Sequence, residues 1–503
     1  MKKLSYLIVG LLAVTLVSCK KEFFDINKNP NSPTSTSITP ELLLPRALHL
    51  TAARMSVSMD YTAHWTGYWA RGGNYGPTNP QEDYAITNDY QAGQWSGWYD
   101  LLFDVDQMEK KGIESSQPFY TGIAKVLKSI GFMYLVDQYN NVPYSKAFDL
   151  AGNILPSYDK GEAIYADLII QLDEAVTIFK GINSTNIADN RGIITSDIVY
   201  KGDAAKWIKF ANTQRLKLIL RQSQVSGFNG AAEVAKIVAN GGGFIGAGET
   251  ANVQPSYVVD NGKQNPFWNA YKTLYTGAVA DDYNRANNYV LSKFENSNDI
   301  RYRYFFSKAT TPVSGNEYYG YNFGEILPSS DPFKSINSSD VAGPGLAKSA
   351  SQPQWFFTSV ESLFLQAEAI QRGWITGNAQ TAYENAVKES FSYLGIPNAS
   401  TEANSYINSG LPIVDWTTST NKVNLIVMQQ YLALTGINNF EAYSNYRRLG
   451  VPTDLPLSLA PGRSARVIPK RLLYPTAEYN YNAETVKAEG TIDAQTSTVF
   501  WDK

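Results

Sequence analysis

ESLFLQAEAIQRGWITGNAQTAYENAVKESFSYLG, residues 361–395, reads as two helices and a turn. Val360, just before it, and then Leu363, Phe364, Ala367 and Ile370 recur every three or four positions, the spacing of one helix face. Gly373 is the predicted stop, because a residue without a Cβ closes a helix at little cost. Tyr383, Ala386, Val387, Ser390, Phe391 and Leu394 form a second face, which ends at Gly395 and Pro397. Two amphipathic helices joined by a short turn bury their faces on each other and on the next pair. The same spacing recurs in Phe119–Tyr134, in Ile164–Phe179, around Trp207–Leu220 and from Leu425 onward. Trp95, Trp98, Leu102, Val105 and Met108 read as a further helix whose aromatics belong to the core. No strict 34-residue repeat is visible, and no alternation of strands with helices. The fold class that follows is mainly α: divergent tetratricopeptide-like hairpins forming a scaffold. Long irregular stretches near 60–100, 245–280 and 301–357, rich in Gly, Pro, Asn, Tyr and Trp, form a loop-rich half. Loops of that length in a compact protein usually carry function.

Composition narrows the chemistry. The chain has 503 residues with 43 Lys and Arg against 46 Asp and Glu, so it lacks the basic footprint of a nucleic-acid binder. One Cys excludes an internal disulfide framework and a Cys-based zinc site. Two His, His49 and His64, lack the spacing of a zinc motif, so no metal site is expected. Aromatics, in contrast, reach 13%.

The N-terminus sets the expected compartment. Lys2 and Lys3 precede an apolar run from Leu4 to Val17, too short for the roughly 20 residues that a bilayer needs. It ends at Leu16-Val17-Ser18-Cys19, the layout of a lipobox, so residues 1–18 are read as a signal peptide and Cys19 as a lipidated N-terminus. Residues 19–40 read as this anchor and an extended, solvated tether rich in Asn, Pro, Ser and Thr. No other segment is expected to be apolar enough for a membrane helix. Residues 41–503 then form one domain.

Enzymatic motifs are weak. Gly241-x-Gly243-x-x-Gly246 spells a dinucleotide fingerprint, but it follows an Ala-rich helical stretch instead of a strand, so no cofactor is expected. The pairs Glu82-Asp83, Asp104 with Asp106, and Asp281-Asp282 could in principle flank a glycosidic bond. They are also what solvated loops and helix caps contain. No Gly-x-Ser-x-Gly elbow and no P-loop occur.

Three aromatic loops are the positive signal: HWTGYWARGGNYG (64–76) leading to Tyr84, NPFWNAY (265–271) leading to Tyr275, and YYGYNF (318–323). The C–H faces of a sugar ring complement the negative face of an aromatic ring. Neighbouring Asn, Asp and Arg can fork onto hydroxyl pairs. Candidate ligand platforms are Trp65, Trp69, Tyr75, Tyr84, Trp268, Tyr275, Tyr319 and Tyr321. The competing reading is that these rings pack the loop-rich half onto the helices.

Together, the NPNSPT tether after Cys19, FYTGIAKVLKSIGFMYLVDQYNNVPYSKAF (119–148), KWIKFANTQRLKLILR (206–221), the stretch 361–395, QQYLALTGINNFEAYSNYRRLGVP (429–452), IPKRLLYPTAEYNYN (468–482) and VFWDK (499–503) resemble the SusD/RagB family of outer-membrane nutrient-binding lipoproteins, in its SusD-like 2 branch. One departure is Asn298-Asp299-Ile300-Arg301, where the family has Asp-Pro-Arg. The resemblance implies a tetratricopeptide-like fold and no catalytic activity. It also implies a cell-surface position in the outer membrane, held by a lipid anchor. The expected function is capture of an oligosaccharide, or a peptide, for a SusC-like TonB-dependent β-barrel transporter. A surface-anchored glycoside hydrolase is the alternative. Trp207, Asn212 and Arg215 are expected to pack and cap helices. Arg447, Arg448 and Arg471, with Glu361 and Glu368, are expected to tie helices to the C-terminal segment.

Overall fold

The computed structural model describes residues 38–76, 80–182 and 190–503. Cys19 and most of the tether lie outside these residues. Twelve helices of nine or more residues occur among the described residues: α1 (Pro40–Val57), α2 (Ala92–Glu114), α3 (Pro118–Tyr139), α4 (Gly161–Gly181), α5 (Ala204–Arg221), α6 (Gly230–Ala239), α7 (Asn288–Asn296), α8 (Ser359–Gln371), α9 (Ala379–Tyr393), α10 (Ala399–Ile407), α11 (Lys422–Ala433) and α12 (Asn439–Leu449).

Helical hairpins build the scaffold, as the periodicity predicts. α3 packs on α2 and α4, α4 on α5, and α8 on α9, which continues onto α10. α8 ends where expected, with Gly373 at φ +74°, and Gly395 at φ +74° follows α9. Asn and Asp side chains start several helices: Asp203 accepts from the Lys206 amide, Asn378 from Thr381 and Asn438 from Glu441. Each such cap satisfies one amide that would otherwise lack a partner. α3 is apolar and long enough to cross a bilayer, contrary to the expectation for this segment. However, 89% of its most apolar window is buried in protein, so its hydrophobicity serves the core.

The long irregular stretches contain more order than their composition suggests. Short helices occupy Asp60–Trp65, Pro80–Asp83 and Pro266–Tyr271, and α2 begins inside the first stretch. Among the described residues four short strands also appear: β1 (Trp69–Arg71), β2 (Ala251–Val253), β3 (Asn284–Ala286) and β4 (Gln354–Phe357). β1 pairs antiparallel with β3, placing Trp69 opposite Ala286 and Arg71 opposite Asn284; β2 pairs with β4. β1, β3 and β4 are buried along their whole length, so no in–out alternation marks them in the sequence.

Two apolar clusters form the core. One joins α1–α6 to the C-terminal segment through Trp65, Trp98, Trp207 and Trp501; the other joins α7–α11 to Trp69, Phe267 and Trp355. Buried ion pairs bind the helices; the sequence suggests Arg448 with Glu368, whereas the partner of Glu361 is Lys217. Arg448 makes a two-pronged contact with Glu368 at 2.6 and 2.7 Å. Lys217 reaches Glu361 at 2.7 Å. Arg447 donates to the carbonyls of Asp137 and Lys470, both at 2.8 Å, and Arg471 donates to that of Tyr139. Trp207 donates to Asp197 at 2.8 Å, Asn212 to the Gly243 carbonyl at 2.9 Å, and Arg215 pairs with Asp173.

Candidate functional site

β1 and β3 bring together loops that are more than two hundred residues apart in sequence. Beyond the paired strands, the Gly72 amide donates to the Tyr283 carbonyl at 2.7 Å. On the other edge of β3, the Tyr321 amide donates to the Ala286 carbonyl and the Asn288 amide to the Tyr321 carbonyl, each at 2.9 Å. Ser335 closes the arrangement: its amide donates to Asn74 Oδ1 at 3.0 Å and its hydroxyl to the Asp282 carbonyl at 2.6 Å. Segments 72–76, 281–283 and 319–335 therefore share one face.

Gly72 and Gly73 allow this approach. A Cβ on Gly72 would fall 2.7 Å from the Ser335 hydroxyl and 2.9 Å from the Asp282 carbonyl oxygen. One on Gly73 would overlap the Phe333 carbonyl oxygen. Only glycine admits the three chains at this spacing.

Four rings emerge on that face. Tyr75 is 38% exposed and meets Tyr283 edge-on, with centroids 5.0 Å apart. Its hydroxyl donates to Asp282. Tyr319 lies parallel to Phe333 at 3.7 Å, and Tyr321 stands edge-on to Tyr319 at 5.5 Å. Tyr283, Tyr319 and Phe333 are half-buried. Stacked and edge-on pairs hold one another rigid, so a ligand loses little by ordering them.

Arg71 sits behind the rings. Its Nε donates to Glu82 at 2.9 and 3.2 Å, and its two terminal nitrogens donate to the carbonyls of Tyr75 and, at 2.9 Å, Glu325. One guanidinium thus secures both rims of a cavity of about 200 Å³ between the 73–76 and 325–329 turns. Glu82 is buried, which raises its pKa, and Arg71 opposes the rise.

His64 lies beneath the same strands. Asn284 Nδ2 donates to Asp281 at 2.9 Å, so Asn284 Oδ1 accepts from His64 Nε2 at 2.7 Å. Burial pushes the His64 pKa down to about 4, so the imidazole is neutral. Asp281 also accepts the Tyr283 and Asn284 amides at 2.9 and 3.1 Å, which makes it a turn cap. Of the other carboxylate pairs, Glu82 is held by Arg71, Asp106 by Lys110 and Lys128, and Asp104 by Arg46. Among the described residues, no group of three or more His, Cys, Asp or Glu is placed to hold a metal ion.

The predicted platforms therefore divide. Tyr75 and Tyr319 belong to the exposed cluster. Trp65, Trp69, Tyr84 and Tyr321 are at most 3% exposed and show no ring face to solvent. Trp65 packs against Tyr61, Tyr90 and Tyr443, and Trp69 against Tyr271. The Tyr84 hydroxyl accepts from the Ser458 amide. For these four, the sequence expectation of a surface platform gives way to packing: pairing with β3 turns Trp69 inward, the Asp60–Trp65 helix lays Trp65 on Tyr443 of α12, Tyr84 is held through its hydroxyl by Ser458, and Tyr321 by its backbone bond to Ala286. Trp268 is half-buried and donates to the Thr273 hydroxyl at 3.0 Å. Tyr275, 46% exposed, stands on the separate 273–279 hairpin beside exposed Leu274 and Val279. Tyr283 and Phe333 were not candidates; their only signal is a lone aromatic after Asp282 or after Asp331-Pro332.

The family profile described as "Starch-binding associating with outer membrane", SusD-like 2, matches residues 30–475. The chain belongs to this family. Solved SusD-like structures share its fold. A SusD homolog from Bacteroides fragilis NCTC 9343 is 24% identical over 93% of this chain and 100% of its own, with a TM-score of 0.72. A SusD homolog from Bacteroides uniformis ATCC 8492 is 24% identical over 92% of this chain and 99% of its own, at 0.73. A chitin-binding protein is 23% identical over 92% of this chain and 100% of its own, at 0.75. The search of curated proteins found no match. In the stretch Asn298–Arg301, Arg301 meets Asp299 at 2.6 Å with both side chains fully buried.

Proposed function

We propose that this protein is a surface-anchored receptor that binds an oligosaccharide and delivers it to a SusC-like TonB-dependent transporter. The observation that carries the reading is the rigid ring cluster Tyr75, Tyr283, Tyr319 and Phe333, with Asp282, Asn322, Glu325 and Lys334 nearby to meet hydroxyls. A family associated with starch binding at the outer membrane supports it, as does the fold shared with a chitin-binding protein. Binding without turnover is part of this reading: Asp281 caps a turn and Glu82 is held by Arg71, while Asp282 and Glu325 meet hydroxyls. Lipidated Cys19 is the anchor.

Calorimetric titration with linear malto-, chito-, cello- and xylo-oligosaccharides tests the binding. Tyr75→Ala and Tyr319→Ala are each expected to weaken the ligand roughly tenfold, the usual loss for an aromatic anchor. New reducing ends appearing on incubation would instead favour the hydrolase. Purification from gently solubilised membranes tests the partnership: a β-barrel transporter is expected to come with the protein, and its absence would count against delivery.

A further inference from the structure

One end of the helical scaffold carries apolar side chains that the core does not take up. The first turn of α1, the turn between α2 and α3 and the short Ile193–Ser196 helix meet there. Gln117 donates to Glu41 at 3.0 Å, Tyr120 donates to the Arg191 carbonyl, and a Cβ on Gly192 would lie 3.0 Å from the Glu41 side chain. Thr39, Glu41, Ser115, Gln117 and Arg191 line a depression of about 420 Å³ between the three segments. Leu42, Ile113 and Ile194 stand within three residues of these lining positions and are 67%, 63% and 67% exposed. Leu44 and Ile193 beside them are buried and serve the core.

The chain enters the fold at this same end. The described residues begin at Ile38, just before α1, and Cys19 precedes them in the sequence. A single exposed aliphatic side chain is ordinary on a protein surface, whereas several gathered at one place mark a contact. Charge does not supply that contact. Lys110, Lys111 and Arg191 are balanced by Asp106, Glu41 and Glu114, and Lys110 meets Asp106 at 2.7 Å. Neither an acidic nor a basic partner is drawn to such a surface. Flexible aliphatic tips also make a poor platform for a sugar ring, which needs a flat aromatic face. Leu and Ile side chains set among Thr, Ser and Gln instead match the boundary of a bilayer, where acyl chains lie next to polar headgroups.

We propose that this end of the scaffold rests on the lipid surface, with Leu42, Ile113 and Ile194 entering the acyl boundary and the polar groups around the depression meeting headgroups. The contact stands α2 and α3 on the membrane by the turn that joins them, which gives the anchored protein one orientation. The inference rests on the reading of Cys19 as the anchor and adds to it the protein surface that the anchor brings down.

The test reads a polarity-sensitive fluorophore on single cysteines. Replacing residues 1–19 with a hexahistidine tag removes the one Cys of the chain, so each introduced thiol is unique. The tag holds the protein on phosphatidylcholine vesicles that contain nickel-chelating lipid, whether or not Cys19 is lipidated in the cell. Labels on Leu42→Cys, Ile113→Cys and Ile194→Cys are expected to shift to the blue and brighten on the vesicles, and to do so equally in high salt, since the contact is apolar. A label on Ile154→Cys is expected to stay as it is in water: Ile154 is 78% exposed but lies in the loop beyond the other end of α3. All four positions are exposed, so labelling them leaves the core intact. No shift at the three sites, an equal shift at Ile154, or shifts that vanish in high salt would overturn the membrane contact. Fractionation of Cys19→Ala decides the anchor separately: release of that variant from membranes, together with no shift on the vesicles, would leave the anchor standing and remove only the contact.

Discussion

His64 shows how a single residue records its surroundings. An unfolded chain protonates this imidazole near pH 6.5, whereas burial lowers the folded value to about 4. Below pH 6.5 the unfolded state therefore takes up a proton that the folded state refuses, and stability falls as pH drops from about 6.5 to 4. The loss is up to roughly 3 kcal/mol at 1.36 kcal/mol per pKa unit. Denaturant unfolding at pH 7.5 and 4.5 is expected to show this drop in the wild type and a smaller one in His64→Asn. Arg71 is the second informative residue. Arg71→Ala would remove the ion pair of Glu82, whose side chain is fully buried, and would free the carbonyls of Tyr75 and Glu325. Breaking a buried pair in this way costs about 3–5 kcal/mol, and ligand affinity is expected to fall with it because both cavity rims loosen.

At the scale of elements, α5 acts as a charged hub inside the core. Lys217 and Arg221, one helical turn apart, both face Glu441 on α12, at 2.9 Å each. Lys217 also reaches Glu361 on α8, and Arg221 reaches Asp137 on α3 at 3.2 Å. All five side chains are at most 2% exposed. Burial alone would raise the Glu441 pKa, but Arg221 and Lys217 pull it well below the ordinary carboxylate value. Glu441→Gln removes the carboxylate that both cations share and leaves each with one, Glu361 or Asp137, so it is expected to cost about 1.5–3 kcal/mol in urea unfolding, the range for hydrogen bonds to charged groups. The exposed pair Lys308–Glu317 provides the contrast. Lys308→Ala is expected to change stability by less than about 1 kcal/mol, since solvent screens that pair. The charged residues of 206–221 were legible as helix, but nothing local in the sequence says that these two cations point inward. That follows from α8 and α12 supplying carboxylates from more than a hundred residues away.

For the whole molecule, the scaffold and the ligand face are separate pieces of design. The hairpins α2–α5 and α8–α10 provide the mass and rigidity, while β1, β3 and the segments around them present the rings. Anchoring is a third piece, held by the proposal for Cys19. Cys19→Ala is expected to move the protein from the membrane fraction to the soluble fraction without changing its ligand affinity, a separation that fractionation and calorimetry can check together. The helical stripes, the stops at Gly373 and Gly395 and the Arg–Glu ties were legible because each is written in local spacing or in residue type. The short helices within 60–100 and the four strands were not, because segments of three to six residues are too short to show a period.

The sequence by itself determined the helical architecture and the membership of the SusD-like 2 family. It also located the loops that could hold a ligand. Helix faces follow from a repeat of three or four residues, and that information is carried by neighbours in the chain. Only the tertiary structure decided which aromatics in those loops face outward. Trp69 and Tyr75 lie six positions apart in the same loop, yet pairing with Ala286 buries one, and the close approach of Tyr283 and Ser335 leaves the other on the rim. The physical reason is that a ring's exposure is set by what packs over it, and here the covering segments come from more than two hundred residues further along the chain.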